Sequence, residues 1–185
     1  MLILASASPR RAELLRNAAV EFRVVPPNVP EHLREGEVSV GYVERLALTK
    51  AQAVAARFSG DAVLGADTTV VLDEHILEKP RDPEDAGRML RRLRGRVHEV
   101  TTGVCLIYKG SERVEHETTR VHMAEMTDAE IESYIATGEP MDKAGAYAIQ
   151  GIASRWISRI EGCYFNVVGL PVPRVFRMLR EHRVL

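Results

Sequence analysis

Asp67 and Lys79, on either side of a short polar turn, give the first sign of chemistry in this chain. Asp61 to Ala66 reads as a short buried strand, Thr68 to Leu72 is rich in β-branched residues, and Asp73-Glu74-His75 is a turn. Asp67 is therefore expected where one strand ends and a hairpin begins, with Lys79 just beyond the hairpin. In open α/β sheets ligands collect outside the carboxyl ends of strands, so both side chains would reach one crevice. A carboxylate there can bind a metal or activate water, and an ammonium suits phosphate. Taken alone, such a pair is more often a turn cap and an ordinary surface lysine, so the surrounding residues decide.

The N-terminus supplies the second group. Leu2-Ile-Leu-Ala reads as a buried strand, and Ser6-Ala-Ser8-Pro9-Arg10-Arg11 feeds a helix with Ser8 as N-cap, Pro9 at its first position and Leu14-Leu15 in the core. Free N–H groups and the dipole at such a helix start favour an anion, to which the Ser6 and Ser8 hydroxyls can donate. Arg10 and Arg11 would be unfavourable in that first turn unless an anion answered them, which favours phosphate over a plain capped helix. The pattern is not GxxxxGK[ST], so it is not a P-loop.

The elements that must position these groups follow in order. Glu21 to Val25 is a second strand, and Pro26-Pro-Asn-Val-Pro breaks regular structure before a loop holding Glu31, Glu35 and Glu37. These are ordinary solvated carboxylates on sequence alone, although one could reach the crevice as a second metal ligand. Residues 39–58 form a helix by their apolar spacing, with Lys50 beside the stripe, where a snorkelling surface lysine is the plain expectation. Asp82 caps a helix that starts at Pro83 and ends at Gly95. Strands over 96–108 and 112–125 flank a Lys109-Gly110-Ser111 turn, and a short helix spans 128–137. Residues 138–151 read as loop, 152–160 as an edge strand, 161–166 as a turn and 171–182 as a closing helix. This alternation gives an α/β chain with a mixed sheet.

Composition narrows the class. The 185 residues suit one domain, or two closely packed lobes, with room for a full core. Lys and Arg number 25 against 26 Asp and Glu, which argues against binding a nucleic-acid polymer through its backbone. Cys105 and Cys163 are far apart, without CxxC spacing, so neither a zinc site nor a disulfide framework is indicated and a reduced, cytoplasmic setting is expected. The N-terminus lacks the character of a signal peptide, and no apolar run approaches the ~20 residues of a membrane span.

Six blocks in order, Ser6-x-Ser8-Pro9-Arg10-Arg11, Gly65-Ala-Asp-Thr-x-Val, Lys79-Pro80, His98-x-Val-x-Thr-Gly, Gly145-Ala-Tyr-x-Ile-Gln-Gly and Asn166-Val-Val-Gly-Leu-Pro, resemble the Maf family of nucleoside triphosphate pyrophosphatases. The block from Glu139 to Gly151 is similar to the branch acting on dTTP and UTP; Ala148, where the family often has Gly, is a mild departure. The resemblance implies a mixed, twisted sheet with flanking helices and two lobes around a central cleft, like the inosine-triphosphate pyrophosphatases. It further implies a single catalytic domain over residues 1–185, a divalent metal (Mg²⁺ or Mn²⁺) and a homodimer. Asp67 would be the general base, with Lys50 and Lys79 beside it. Glu31 and Asp67 would bind the metal, and Ser8, Arg10, Arg11, Thr68 and Gln150 the substrate, with Arg10, Thr68 and Gln150 setting the base. Gln150 offers one donor and one acceptor, matching O4 and N3–H of uracil or thymine. A house-cleaning role on modified pyrimidine triphosphates, and a non-catalytic nucleotide-binding role in septum formation, stand as alternatives.

Overall fold

The computed structural model describes residues 1–185. Its strands are β1 (Leu2–Ala5), β2 (Phe22–Val24), β3 (Ala62–Leu72), β4 (His75–Leu77), β5 (Val97–Tyr108), β6 (Ser111–Met123) and β7 (Ile157–Glu161). The helices are α1 (Pro9–Asn17), α2 (Ser39–Ala55), α3 (Pro83–Leu93), α4 (Asp128–Ala136), α5 (Tyr164–Val168) and α6 (Val172–Glu181). The sheet is mixed, of order β2-β1-β3-β5-β6-β7, with β4 on β3. β1 runs parallel to β2 and β3, whereas β4 and β7 are antiparallel to β3 and β6. The chain divides into two compact units, and the divisions at 68/69, 101/102 and 117/118 fall inside β3, β5 and β6.

The first unit comprises residues 1–68, 102–117 and 169–185. Its core joins Ile3 and Ala5 of β1, Val63 of β3 and Cys105 of β5 to Ala47, Ala51 and Val54 of α2. Glycine sets how close α2 comes. A Cβ on Gly65 would stand 2.2 Å from the Ala47 carbonyl oxygen, and one on Gly103 2.3 Å from that of Val43, so any larger residue would push the helix off the strands. Lys50 lies between Ala47 and Ala51 on that helix and is carried down with it.

The second unit comprises residues 69–101 and 118–168. Its core gathers Leu90 and Leu93 of α3, Ile131 and Tyr134 of α4, and Val70, Val100 and Val121 from the strands, together with Tyr147 and Trp156. Asp82 caps α3 as expected, accepting from Asp85 N at 2.7 Å, and Thr127 and Glu130 form a capping box at α4. Asp73 and Glu74 take left-handed φ of 51° and 65° to close a two-residue β3–β4 turn. The loop expected over 138–151 contains short 3₁₀ turns at Glu139–Asp142 and Ala144–Ala146; the edge segment resolves into a 3₁₀ turn at Ile152–Trp156 and then β7. Residues expected as a turn after β7 include the short helix α5.

One expectation about Asp67 is corrected. β3 is a single strand of 11 residues, so Asp67 lies in its interior and not at its end. The strand continues because Asp67's side chain has a partner, Lys50, and does not turn back to cap the backbone. The carboxyl-end argument still holds in another form, since the parallel pairing of β1 with β3 stops at Ala5 and Gly65, two residues short of Asp67.

Candidate active site

In the first unit, Lys50 joins two carboxylates. Its Nζ lies 2.6 Å from Asp67 Oδ1 and 2.6 Å from Glu31 Oε1. Lys50 and Asp67 are buried, at 5% and 6% exposure, whereas the Glu31 side chain is half open to solvent. The surface lysine expected from sequence is thus an internal one, drawn in by the close approach of α2 and neutralised by two acids. Glu31 belongs to an irregular segment that α2 also holds: Tyr42 Oη donates to the Glu31 carbonyl at 3.1 Å, and Arg45 Nη2 donates to His32 O at 3.0 Å. Arg45 also binds Glu37 at 2.6 Å, so of the three glutamates in this loop Glu37 is taken by an arginine and Glu31 goes to Lys50.

Burial raises the pKa of Asp67, and Lys50 and Arg11 hold it partly down. Burial of a carboxylate disfavours its charged form and nearby cations favour it, and such opposed influences are common in functional sites.

Arg11 braces the same stretch of β3. It is 8% exposed. Its Nε donates to Gly169 O at 2.8 Å, Nη1 to Ser6 Oγ at 3.1 Å and Ala66 O at 2.9 Å, and Nη2 to Thr68 Oγ1 at 2.9 Å. Burial pulls its pKa down and the Asp67 charge opposes that shift. A guanidinium has five N–H donors, and four of these contacts are to the protein itself. Arg11 thus acts as a strut that grips the residues before and after Asp67. The Thr68 hydroxyl is in the same network, 2.9 Å from Thr102 Oγ1 and 3.2 Å from Gly169 O. Thr102 and Gly169 were not singled out from sequence; only their places in the His98 and Asn166 blocks marked them.

The start of α1 is as expected in backbone, with Ser8 at the N-cap and Pro9 in the first turn. The Ser8 side chain makes no cap bond, however; its N–H donates to Ser6 Oγ at 3.2 Å. Arg10 is half-buried in that first turn. Ser8, Arg10, Arg11, Glu31, Lys50, Asp67 and Thr68 all belong to the first unit.

Lys79 and Gln150 belong to the second unit. Lys79 follows β4, and Gln150 lies exposed on a turn. A backbone bond ties their segments, with Gly145 N donating to Glu78 O at 3.2 Å. Gly145 has φ of 68° and lies flush on Val70, where a Cβ would come within 2.9 Å of a methyl carbon. His98 and Asn166, two further motif residues, are internal: His98 Nε2 is 2.7 Å from Tyr147 Oη, and Asn166 Nδ2 donates to Val100 O at 2.9 Å. Burial lowers the His98 pKa to about 4, so the ring is neutral at physiological pH.

No cluster of three or more His, Cys, Asp or Glu side chains suited to a metal occurs in the chain. Glu31 and Asp67, which share Lys50 Nζ, are a hard oxygen set of two carboxylates. That fits Mg²⁺ or Mn²⁺, which take one or two protein carboxylates and complete their shell with water and substrate phosphates.

The chain is thus an α/β protein with a buried lysine–aspartate pair that a half-exposed glutamate joins. It belongs to the Maf family: the model described as "Maf-like protein" matches residues 1–182. Among its relatives, a protein of Koribacter versatilis named dTTP/UTP pyrophosphatase is 62% identical over 100% of this chain and 95% of its own length. One of Symbiobacterium thermophilum with the same name is 52% identical, over 97% of this chain and 93% of its own. Among solved structures, the Staphylococcus aureus Ham1 protein matches at a TM-score of 0.49 and 15% identity, over 67% of this chain and 72% of that one.

Proposed function

We propose that this chain hydrolyses dTTP and UTP to the nucleoside monophosphate and pyrophosphate. The observation that carries the reading is the buried Lys50 bridging Asp67 and Glu31, a group that costs stability unless it serves chemistry. The full-length relatives named dTTP/UTP pyrophosphatase supply the substrate class.

Asp67, its pKa raised by burial, takes a proton from the attacking water. The water oxygen bonds to the α-phosphorus, the bond from that phosphorus to the α–β bridging oxygen breaks, and pyrophosphate leaves with the electron pair. Lys50 fixes the Asp67 carboxylate and Arg11 fixes the strand on both sides of it, so the acceptor is pre-positioned. Arg10, Ser8 and the helix start of α1 take phosphate oxygens. Lys79 is assigned to phosphate and Gln150 to the base, its amide pairing with O4 and N3–H. Glu31 and Asp67 would hold the divalent cation, which when bound neutralises polyphosphate charge and eases departure of pyrophosphate. The proposal includes a homodimer acting in the cytoplasm; no helix is long and apolar enough to cross a membrane.

The decisive experiment is hydrolysis of dTTP by the purified protein with Mg²⁺ in ¹⁸O-water. Label is expected in dTMP. Label in pyrophosphate instead would place attack at the β-phosphorus, and full activity after exhaustive chelation would remove the cation from the reading.

A further inference from the structure

A glutamine reads a base only if its amide is held in one orientation and place, because a freely turning amide presents donor and acceptor interchangeably. Gln150 is on an exposed turn with no helix or strand to fix it. What fixes the turn is a short chain of hydrogen bonds centred on Glu139. Ala148 N donates to Tyr134 Oη at 3.4 Å, and Tyr134 Oη donates to Glu139 Oε1 at 2.8 Å. The same carboxylate accepts from Ile152 N at 3.0 and 3.1 Å through its two oxygens. The backbone is therefore gripped two residues before and two residues after Gln150.

The grip is also steric. A Cβ on Gly151 would lie 2.2 Å from Glu139 Oε1, so the carboxylate rests directly on the backbone of Gln150's neighbour. Glu139 is itself anchored, since Lys143 Nζ donates to its carbonyl oxygen at 2.7 Å. Tyr134 is 1% exposed and packs against Trp156, with ring centroids 5.7 Å apart and the planes tilted by 58°. Tyr147, three residues before Gln150, is pinned in turn by His98. Within such a chain each bond polarises the next, and the charged acceptor at its centre carries the strongest bonds.

We propose that Glu139 is a positioning residue for base selection, whose carboxylate holds the Gln150 turn so that one amide orientation faces the pyrimidine edge. The proposal rests on the reading of Gln150 given above. It assigns no contact between Glu139 and the substrate.

The test is kcat/KM for dTTP, UTP, CTP and ATP with the wild type, Glu139→Ala, Glu139→Gln, Tyr134→Phe and Gln150→Ala, as full chains. Glu139→Ala is expected to lower the dTTP-to-CTP ratio about tenfold, the equivalent of one charge-assisted hydrogen bond, and to do so through the KM for dTTP while kcat for CTP stays unchanged. Glu139→Gln, which keeps an acceptor for Ile152 N, should recover most of the ratio. A purely structural role would lower all four nucleotides alike and would overturn the proposal. If Gln150→Ala flattens the preference while Glu139→Ala leaves it intact, the clamp is refuted and the reading of Gln150 survives. An unchanged ratio in Gln150→Ala refutes both. Should Glu139→Ala fail to fold, Tyr134→Phe decides: loss of the Ala148 tie should move the ratio the same way by a smaller factor, and an unmoved ratio overturns the proposal.

Discussion

Replacing Lys50 by Met tests whether the buried pair is real and whether Asp67 is the group it serves. Methionine keeps most of the aliphatic stem and removes the charge, leaving Asp67 buried without its nearest cation. The Lys50 and Asp67 side chains are 6% and 9% exposed, so the loss belongs with buried pairs, about 3–5 kcal/mol at neutral pH. Glu31, at 47% exposure, adds at most about 1 kcal/mol because water screens it. Set against a total stability of roughly 5–15 kcal/mol, the variant should still fold. The pH dependence carries the stronger test. Burial already raises the folded-state pKa of Asp67, and Lys50 is the largest influence holding it down, so Lys50→Met raises it further. A group with a raised folded pKa loses stability as pH climbs from its unfolded value, about 3.9, through the folded one, because in that window the native state binds the extra proton. The deficit of Lys50→Met should therefore be full above the variant's Asp67 pKa and shrink as pH falls through it. Urea unfolding of both proteins at several pH values, without nucleotide, measures it. Adding Asp67→Asn to Lys50→Met should recover most of the loss, since a neutral amide needs no countercharge. A deficit that is the same at every pH, with a double variant no more stable than Lys50→Met, would refute the reasoning.

Asp67→Asn alone should cut kcat by about 10²–10⁴ while nucleotide binding persists, as measured by single-turnover kinetics and equilibrium titration; near-normal turnover would remove Asp67 from proton transfer. Arg11→Lys keeps the charge but cannot reach all four acceptors, and losing the bond to the Ala66 carbonyl should cost about 1–3 kcal/mol in thermal or urea unfolding, Gly169 O keeping the Thr68 hydroxyl. If Arg11 works through β3, that loss comes with a lower kcat and little change in KM; a raised KM with undiminished stability would instead place Arg11 on the substrate.

The sequence was legible where chemistry is local. Asp82-Pro83, Thr127 with Glu130, and Lys109-Gly110 each announce a cap or turn in adjacent residues, and the structure has them in those places. It was not legible where a residue answers to a distant one. Asp67 looked like the end of a strand because an acid inside β3 is unfavourable, and only Lys50, 17 positions earlier, makes it tolerable. Lys50 in turn looked like a surface residue because nothing near it in sequence reveals that Gly65 and Gly103 admit α2 to the sheet. Arg11 resembled its neighbour Arg10 in every local respect; what separates them is the set of acceptors at Ser6, Ala66, Thr68 and Gly169. Glu139 read as one more charge in a Gly-rich loop, although its place just before Pro140 and thirteen residues ahead of Ile152 is what lets it span the turn.

These long-range dependencies have one physical source. A carboxylate that is to accept a proton near neutral pH must be partly desolvated, yet desolvation alone would neutralise it and expel it from the core. The fold meets both demands by bringing a lysine on a helix to Asp67 and an arginine strut to its neighbours Ala66 and Thr68, and both depend on glycine: Gly65 and Gly103 for the helix, and Gly169, with φ of 129°, for the carbonyl that Arg11 Nε grips. Buried ion pairs commonly add little net stability compared with apolar packing. Under the proposed function the Lys50–Asp67 pair prepares a proton transfer, and the motif glycines are better understood as the conditions for that geometry than as flexible hinges.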